Sequence, residues 1–127
     1  MSKAKRNVLG LLAILLVAYI GVGASIRACA ERIVEAGMQP APAYQAWMKE
    51  DLYRKLHPAL RGMANYEASY QPERHRYRAG FPFHFFFAAS VTVDNYYDGE
   101  VGFHEPVTLH LRLSGWKWVP TYVSIPA

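Results

Sequence analysis

The sequence predicts an α+β fold: an N-terminal transmembrane helix, then a small domain in which an amphipathic helix packs on a curved antiparallel sheet of three to four strands. Three observations predict it. An uncharged apolar segment occupies residues 7–26, a helical apolar period follows, and after residue 80 the period changes to two. The chain has 127 residues, which beyond the first segment is enough for one domain.

The uncharged segment is long enough to cross a membrane. At about 1.5 Å per residue, about 20 helical residues span the ~30 Å hydrocarbon core of a bilayer. The helical period continues beyond it to residue 36, where Gly37 is predicted to cap the helix. The residues predicted to anchor the chain in lipid are Val8, Leu11, Leu12, Ile14, Leu15, Leu16, Val17, Tyr19, Ile20 and Val22.

The charges beside this segment predict its orientation. Lys3, Lys5 and Arg6 precede it without an acidic residue, whereas Arg27 and Arg32 beyond it are interleaved with acidic residues. Basic residues favour the cytoplasmic side. The sequence thus predicts a cytoplasmic tail at 1–6, one span in the inner (cytoplasmic) membrane, and a periplasmic or extracellular C-terminal domain.

Two other fates of the segment stay open. A basic start and an apolar stretch also describe a signal peptide, and small residues suited to cleavage occur at 22–24 and 28–30. Residues 26–29 are similar to a lipobox, in which Cys29 would carry a lipid, although Arg27 argues against it. Because Cys29 is the one cysteine of the chain, it excludes an intramolecular disulfide.

A linker at 37–43 and an α+β domain at 44–127 are predicted beyond the span. Pro42 suits the first turn of an amphipathic helix, which should end near His57 because Pro58 follows. Glu50 with Arg54, and Asp51 with Lys55, are spaced to pair on its exposed side. Its apolar side is formed by Tyr44, Trp47, Met48, Leu52 and Leu56.

Strands follow the helix. Odd positions from Phe81 to Val93 are apolar and predict one long strand with its odd face buried. Residues 81–87 are apolar on both faces, which predicts either cover on both sides or a partner. After an Asp98-Gly99 turn, 107–113 alternate as a second strand. Past a Ser114-Gly115 turn, 116–125 form a third, in which Pro120 predicts a bulge or an edge; 66–78 hold a possible fourth.

The end of the chain resembles a known family. Residues 107–113, Gly115-Trp116-Lys117-Trp118 and Val123-Ser124-Ile125-Pro126 are similar to the last hairpin of nuclear-transport-factor-two-like, cone-shaped domains. Many membrane-anchored bacterial periplasmic proteins carry such domains, including inner-membrane assembly factors of type IV secretion systems. The resemblance covers the last third of the chain and implies a concave sheet that often holds a pocket.

Composition and motifs argue against several function classes. The net charge is +4, but three of these charges lie within residues 1–6, so the domain is nearly neutral and nucleic-acid binding is not expected. The five histidines lack the spacing of a metal motif, and no glycine-rich phosphate loop is present. The sequence therefore predicts no catalytic, metal or cofactor site.

Several side chains are candidates for a partner or ligand surface. Arginines at 74, 76 and 78 would share one face of an extended segment, either to bind headgroups, an acidic partner or an anionic polymer, or as a solvated edge. The two histidines of the first and second strands fall on polar faces and would meet across the sheet. The predicted surface comprises Arg74, Arg76, Arg78, His84, His110, Arg112, Trp116, Trp118 and Tyr122.

Three functions are compatible with these features. The first is a non-enzymatic accessory or assembly subunit of an envelope complex, which binds other proteins or further copies of itself. The second is a ligand-binding or enzymatic domain that uses the concave face through His84, His110, Arg112 and Tyr122. The third is a membrane-anchored immunity or exclusion protein.

Overall fold

The structure is a computed structural model that describes residues 2–63, 66, 70–85, 87–99 and 102–126. It confirms the α+β class, with a long N-terminal helix followed by an antiparallel sheet. The elements are helices α1 (Lys3–Met38) and α2 (Glu50–Leu56), strands β1 (His75–Ala79), β2 (Phe83–His84), β3 (Ala88–Tyr97), β4 (Phe103–Ser114) and β5 (Lys117–Ser124), and 3-10 turns at Ala43–Ala46, Pro58–Arg61 and Pro72–Arg74.

Helix α1 has two halves with different surroundings. Ser2 caps it by accepting a hydrogen bond from the Lys5 N–H at 3.2 Å. Its first half exposes its apolar side chains and reaches a mean hydropathy of 2.4, so it is long and apolar enough to cross a membrane. Its second half enters the domain core, where it buries Gly23, Ile26, Ala30, Ile33, Val34, Ala36, Gly37 and Met38.

Gly37 has a different role from the predicted cap. The helix continues through it to Met38, and Gln39 is the capping residue, whose N–H donates to the carbonyl of Ala36. A Cβ atom on Gly37 would lie 2.9 Å from Cβ of Leu56. Glycine at 37 therefore permits α2 to pack closely against α1.

Replacing Gly37 with alanine is expected to destabilise the domain by about 1–3 kcal/mol, because the added methyl group overpacks the contact with Leu56. Thermal unfolding in detergent measures the change. Gly10→Ala is the matched control, since no atom lies within 4 Å of that position. Equal stability of the two variants would contradict the close-packing explanation.

The predicted amphipathic helix is wrong as one element. It divides into the 3-10 turn Ala43–Ala46 and α2, with Lys49 in an extended conformation between them. Glu50 and Asp51 favour a new helix start because acidic side chains stabilise the first turn. The predicted pair of Glu50 and Arg54 forms, at 2.8 Å, and three residues of the predicted apolar side are buried: Met48, Leu52 and Leu56.

The sheet has the order β1-β3-β4-β5, with β2 also paired to β3 and every pair antiparallel. The predicted alternation in β4 is confirmed, and in β3 it holds from Ala89 onward. Pro120 also fulfils its prediction, because it lies in the edge strand β5 opposite a register shift between His110 and Leu111. The face that packs against the helices buries Ala79, Ala89, Val91, Val93, Val107, Leu109, Leu111, Trp118 and Val123.

The predicted long strand from Phe81 to Val93 is wrong as one element, because the chain reverses within it. Strands β2 and β3 pair antiparallel across a tight turn in which the Phe85 N–H donates to the Ala88 carbonyl, and the odd positions before this turn are not buried. Ala79 pairs with Val93 and Phe83 pairs with Ser90. A step of four residues along the edge therefore corresponds to a step of only three residues along β3. This edge therefore carries one extra residue, a bulge that moves the following side chains to the opposite faces. Pro82 and His84 turn inward, Phe86 lies outside the described residues, and the exposed phenylalanines are Phe81, Phe83, Phe85 and Phe87.

A second, smaller cluster of buried apolar residues lies at the end of the domain next to the C-terminus of α1. Tyr66 and Tyr97 are buried there against Met38, and the Tyr66 hydroxyl donates to the Met38 carbonyl at 2.7 Å. Nearby, Arg61 binds Glu105 through two hydrogen bonds of 2.6 and 2.9 Å. These contacts join the turn after α2 to β4 and fix the helical layer on the sheet.

Candidate functional site: the open face of the sheet

One face of the sheet points away from the core that α1 and α2 form. It consists of the residues that alternate with the buried ones on β1, β3, β4 and β5. Antiparallel sheets commonly leave one face exposed to water, so exposure alone does not indicate a binding site and the residues on the face must be considered. Its exposed or half-exposed residues include Arg76, Arg78, Thr92, Asp94, Tyr96, His104, Thr108, His110, Arg112 and Tyr122.

A shallow depression lies at the β1 side of this face. The strand register aligns Arg76 with Tyr96 and His104, and Arg78 with Asp94. The His104 Nε2 atom lies 2.5 Å from Asp94 Oδ1, and the His104 ring meets Tyr96 edge-on with centroids 5.4 Å apart. Asp94 is therefore engaged by a neighbour on its own face, whereas the two arginines add positive charge beside it.

A second group of side chains lies where β4 meets β5. The rings of His110 and Tyr122 have centroids 5.4 Å apart, and the Lys55 Nζ atom is 5.4 Å from the Tyr122 centroid. Arg112 is exposed on β4, two residues beyond His110. Both ends of the face thus combine aromatic rings with basic side chains.

The predicted arginine stripe is only partly assembled on this face. Arg76 and Arg78 are exposed on β1, while His75 and Tyr77 point toward the helices. Arg74 belongs to the preceding turn, where it donates hydrogen bonds to Gln71 and to the carbonyl of Asp98. The surface therefore contains two of the three predicted arginines.

The predicted meeting of His84 and His110 does not occur. His84 is buried on the helix side, 3.0 Å from the carbonyl of Tyr19, and its ring stacks on Tyr19 at 3.9 Å. His110 is exposed on the opposite face. The bulge before β2 turned His84 inward, so the candidates for a ligand-binding constellation do not converge.

The two tryptophans also separate. Trp116 in the β4–β5 turn is 100% exposed, whereas Trp118 is buried against α1, where its Nε1–H donates to Ser25 Oγ at 3.2 Å. Trp118 therefore belongs to the core and is removed from the predicted surface.

Chemistry that depends on a metal or a nucleophile finds little support among the described residues. No group of three or more His, Cys, Asp or Glu side chains there lies close enough together to hold a metal ion. Burial raises the pKa of the Cys29 thiol, which lies 3.7 Å from the Trp118 carbonyl, so the reactive thiolate is disfavoured.

His75 is a buried histidine behind the open face. Its Nε2 atom lies 2.6 Å from Asn95 Oδ1. Burial lowers the pKa of His75 from its ordinary value of 6.5, while the hydrogen bond to Asn95 and the charge of Glu35 oppose this shift. The folded domain therefore binds a proton at His75 less readily than the unfolded chain does.

We expect this shift to make the domain less stable in mild acid. The stabilisation from a neutral His75 is present above about pH 6.5 and is lost as the pH falls toward the lower pKa of the folded state. Thermal unfolding at about pH 7 and about pH 5 measures it, with His75→Gln as the control. An equal loss of melting temperature in the parent and the variant would contradict the prediction.

The surface predicted from the sequence does not include Asp94, Tyr96 and His104, the residues that complete the depression. Asp94 and Tyr96 alternate with buried residues in β3, and this alternation was a signal for them. His104 pairs with Tyr96 from β4. Comparisons with protein-family models, with curated proteins and with solved structures give no match. The resemblance to nuclear-transport-factor-two-like domains stays a prediction.

Proposed function

We propose that this protein is a single-pass membrane protein of the cell envelope whose open sheet face binds an acidic segment of a partner protein, as a non-enzymatic accessory subunit. The observation that carries the proposal is the charge of that face. Arg76, Arg78 and Arg112 are exposed on it, and its acidic residue Asp94 is engaged by His104. A partner segment rich in Asp or Glu complements this arrangement.

The proposed topology follows from the residues that flank the apolar half of α1. Lys3, Lys5 and Arg6 hold the N-terminus in the cytoplasm, since short basic segments resist translocation. The sheet domain is then periplasmic or extracellular. In this arrangement the open face meets other envelope proteins.

Retention of α1 is part of the proposal. Cleavage near residue 30 would remove Ile26, which is 0% exposed in the core, and Ser25, which accepts the Trp118 hydrogen bond. Lipidation of Cys29 would likewise require loss of the preceding helix. Because the same helix anchors the chain and completes its core, its removal would destabilise the domain.

The continuity of α1 gives the proposed surface a fixed orientation. Because the helix runs from its exposed apolar half into the core without interruption, the sheet cannot rotate freely about a linker. A binding face held at a constant angle to the membrane suits an assembly subunit. A flexible tether would suit capture of a diffusing ligand.

Site-specific photocrosslinking in cells tests this function. A photoreactive amino acid at Tyr96 or His110 is expected to crosslink to one partner protein, and peptide mapping is expected to place the crosslink in an acidic segment. Gln45, exposed in the 3-10 turn on the helical side, is the control position and is expected to give no such product.

Charge reversal provides the second arm. Arg76→Glu combined with Arg78→Glu is expected to reduce the Tyr96 crosslink at least tenfold, because like charges then face each other. Lys49→Glu, at an exposed position outside the sheet, is expected to leave the crosslink unchanged. A product that forms equally from Gln45, or that survives the double reversal, would overturn the proposal.

A further inference from the structure

The exposed phenylalanines lie in one place, at the end of the domain beside the apolar half of α1. The Phe81 ring lies 6.3 Å from the Tyr19 ring, and Pro82 packs against Gly23. The Phe87 carbonyl accepts a hydrogen bond from the Leu113 N–H, which brings the β4–β5 turn alongside. We call this group the aromatic rim; it consists of Phe81, Phe83, Phe85, Phe87 and Trp116.

Contacts with α1 give the positions of these residues along the axis of the helix. The Ala79 N–H bonds to Glu31 and the Tyr77 hydroxyl to Glu35, so β1 descends along the helix toward its N-terminus. Two strand residues cover about 6.6 Å, nearly the rise of four helical residues. Pro82, three residues beyond Ala79, accordingly packs against Gly23, and Trp116, in the β4–β5 turn ahead of Trp118, lies on the N-terminal side of the Trp118 bond to Ser25.

The rim and the anchor form one continuous apolar surface. Ile20 is the last large exposed apolar residue of α1, at 51%, and the rim begins at the same height. The rim side chains are 62–67% exposed for the phenylalanines and 100% for Trp116. A patch of this kind on a monomer indicates an interaction site.

A membrane-spanning position of α1 carries the rim into lipid. Counted from Asn7, about 20 residues are needed to cross the hydrocarbon core, which places the far boundary near Ile26. The segment that begins at Phe81 lies at the height of residues 19–23, several ångströms nearer the centre of the bilayer. Keeping the phenylalanines in water would pull part of the apolar helix out of the membrane.

Composition and hydrogen bonding of the rim suit this location. Residues 80–90 contain one ionisable side chain, His84, which is buried and bonded to the Tyr19 carbonyl. The Phe85 N–H donates to the Ala88 carbonyl, and the Phe87 N–H to that of Phe85, so these backbone donors do not depend on water. Basic residues flank the rim in sequence, at Arg78, Arg112 and Lys117, and positive charge beside an apolar surface favours an anionic membrane.

We propose that the aromatic rim is a second membrane-binding element, inserted into the lipid leaflet from which α1 emerges. The occupant of this surface is the bilayer itself, at the boundary between headgroups and acyl chains, where aromatic side chains are favoured. This inference rests on the proposed membrane span of α1. The rim and α1 together hold the domain upright on the membrane, with the open sheet face directed sideways.

Nitroxide accessibility in vesicles tests the proposal. Full-length protein with Cys29→Ala and one new cysteine is labelled at Phe85, Trp116, Leu60 or Leu12, and reconstituted in phosphatidylethanolamine and phosphatidylglycerol. Collisions with oxygen, which concentrates in lipid, are compared with collisions with a water-soluble nickel chelate. Leu60 is the matched control, because it is an apolar residue, 56% exposed, in the turn after α2.

Labels at Phe85 and Trp116 are expected to favour oxygen over nickel several-fold more than the label at Leu60. If the label at Leu12 reports lipid while the rim labels report water, the inference fails and the membrane span stands. If Leu12 also reports water, the span and the inference fail together. Dipolar broadening of the rim labels that disappears on dilution with unlabelled protein would assign the rim to a second copy and overturn the proposal.

Discussion

A chain that begins at Glu31 is expected not to fold, whereas a chain that begins at Ala18 is expected to fold cooperatively. The shorter chain lacks Ile26 and Ala30, both 0% exposed in the core. Burial of an isoleucine contributes about 1.5–3 kcal/mol, and the residual helix, from Glu31 to Met38, is too short to persist without its packed neighbours. Small domains have only about 5–15 kcal/mol of stability in total, so the loss is decisive.

Circular dichroism and thermal unfolding in mild detergent distinguish the two chains. The Ala18 chain keeps Tyr19 and its stacking on His84, so it controls for the absence of the apolar first half alone. If the Glu31 chain unfolded with the same sharp transition as the Ala18 chain, the second half of α1 would not be part of the core. That result would also make signal-peptide cleavage near residue 30 compatible with a stable domain.

Trp118→Ala is expected to cost about 3–5 kcal/mol, the range for removing a large aromatic side chain from a core. Trp118 is 8% exposed and bonds to Ser25, so it ties the edge strand β5 to α1. The variant also leaves Ser25 without this donor. Urea or thermal unfolding of the full chain in detergent measures the loss.

Trp116→Ala, two residues away, is the matched control. Its side chain is 100% exposed in the Gly115-Trp116 turn, so its removal is expected to change stability by no more than about 0.5 kcal/mol. A similar loss for both tryptophans would contradict the assignment of one to the core and the other to the aromatic rim.

Elements whose signal is local could be predicted from the sequence. The alternation in β4 placed Val107, Leu109 and Leu111 on the buried face, and Gly115 marked the β4–β5 turn, where it adopts a φ of 63°. Helical period also predicted the continuation of α1 past the apolar segment. In each case neighbouring residues alone determine the preference.

Features that depend on a single inserted residue or on distant neighbours could not be predicted. The chain reverses between β2 and β3 and a bulge lies between Ala79 and Phe83, and the unbroken period of two from Phe81 to Val93 indicates neither. The exposure of Phe83 and the burial of His84 follow from that bulge. Gly37 looked like a cap because its contact with Leu56 comes from a separate helix.

The candidate site shows the same division. Arg76 and Arg78 were predicted because their spacing places them on one face of any extended strand. Their association with Tyr96 and His104 depends on the order β1-β3-β4 and on the register of each pair, which one sequence does not specify. Trp118 was assigned to the surface because its neighbour on α1, Ser25, is remote in sequence.

Hydrogen exchange of the full-length protein in lipid vesicles tests most directly whether α1 is one helix shared by the membrane anchor and the domain core. Amides from Gly23 to Ala36 are expected to exchange as slowly as those of β3 and β4, because they lie in an unbroken helix packed on the sheet. A fast-exchanging segment between Ile20 and Ile33 would contradict this expectation, since such a hinge would separate the anchor from the domain.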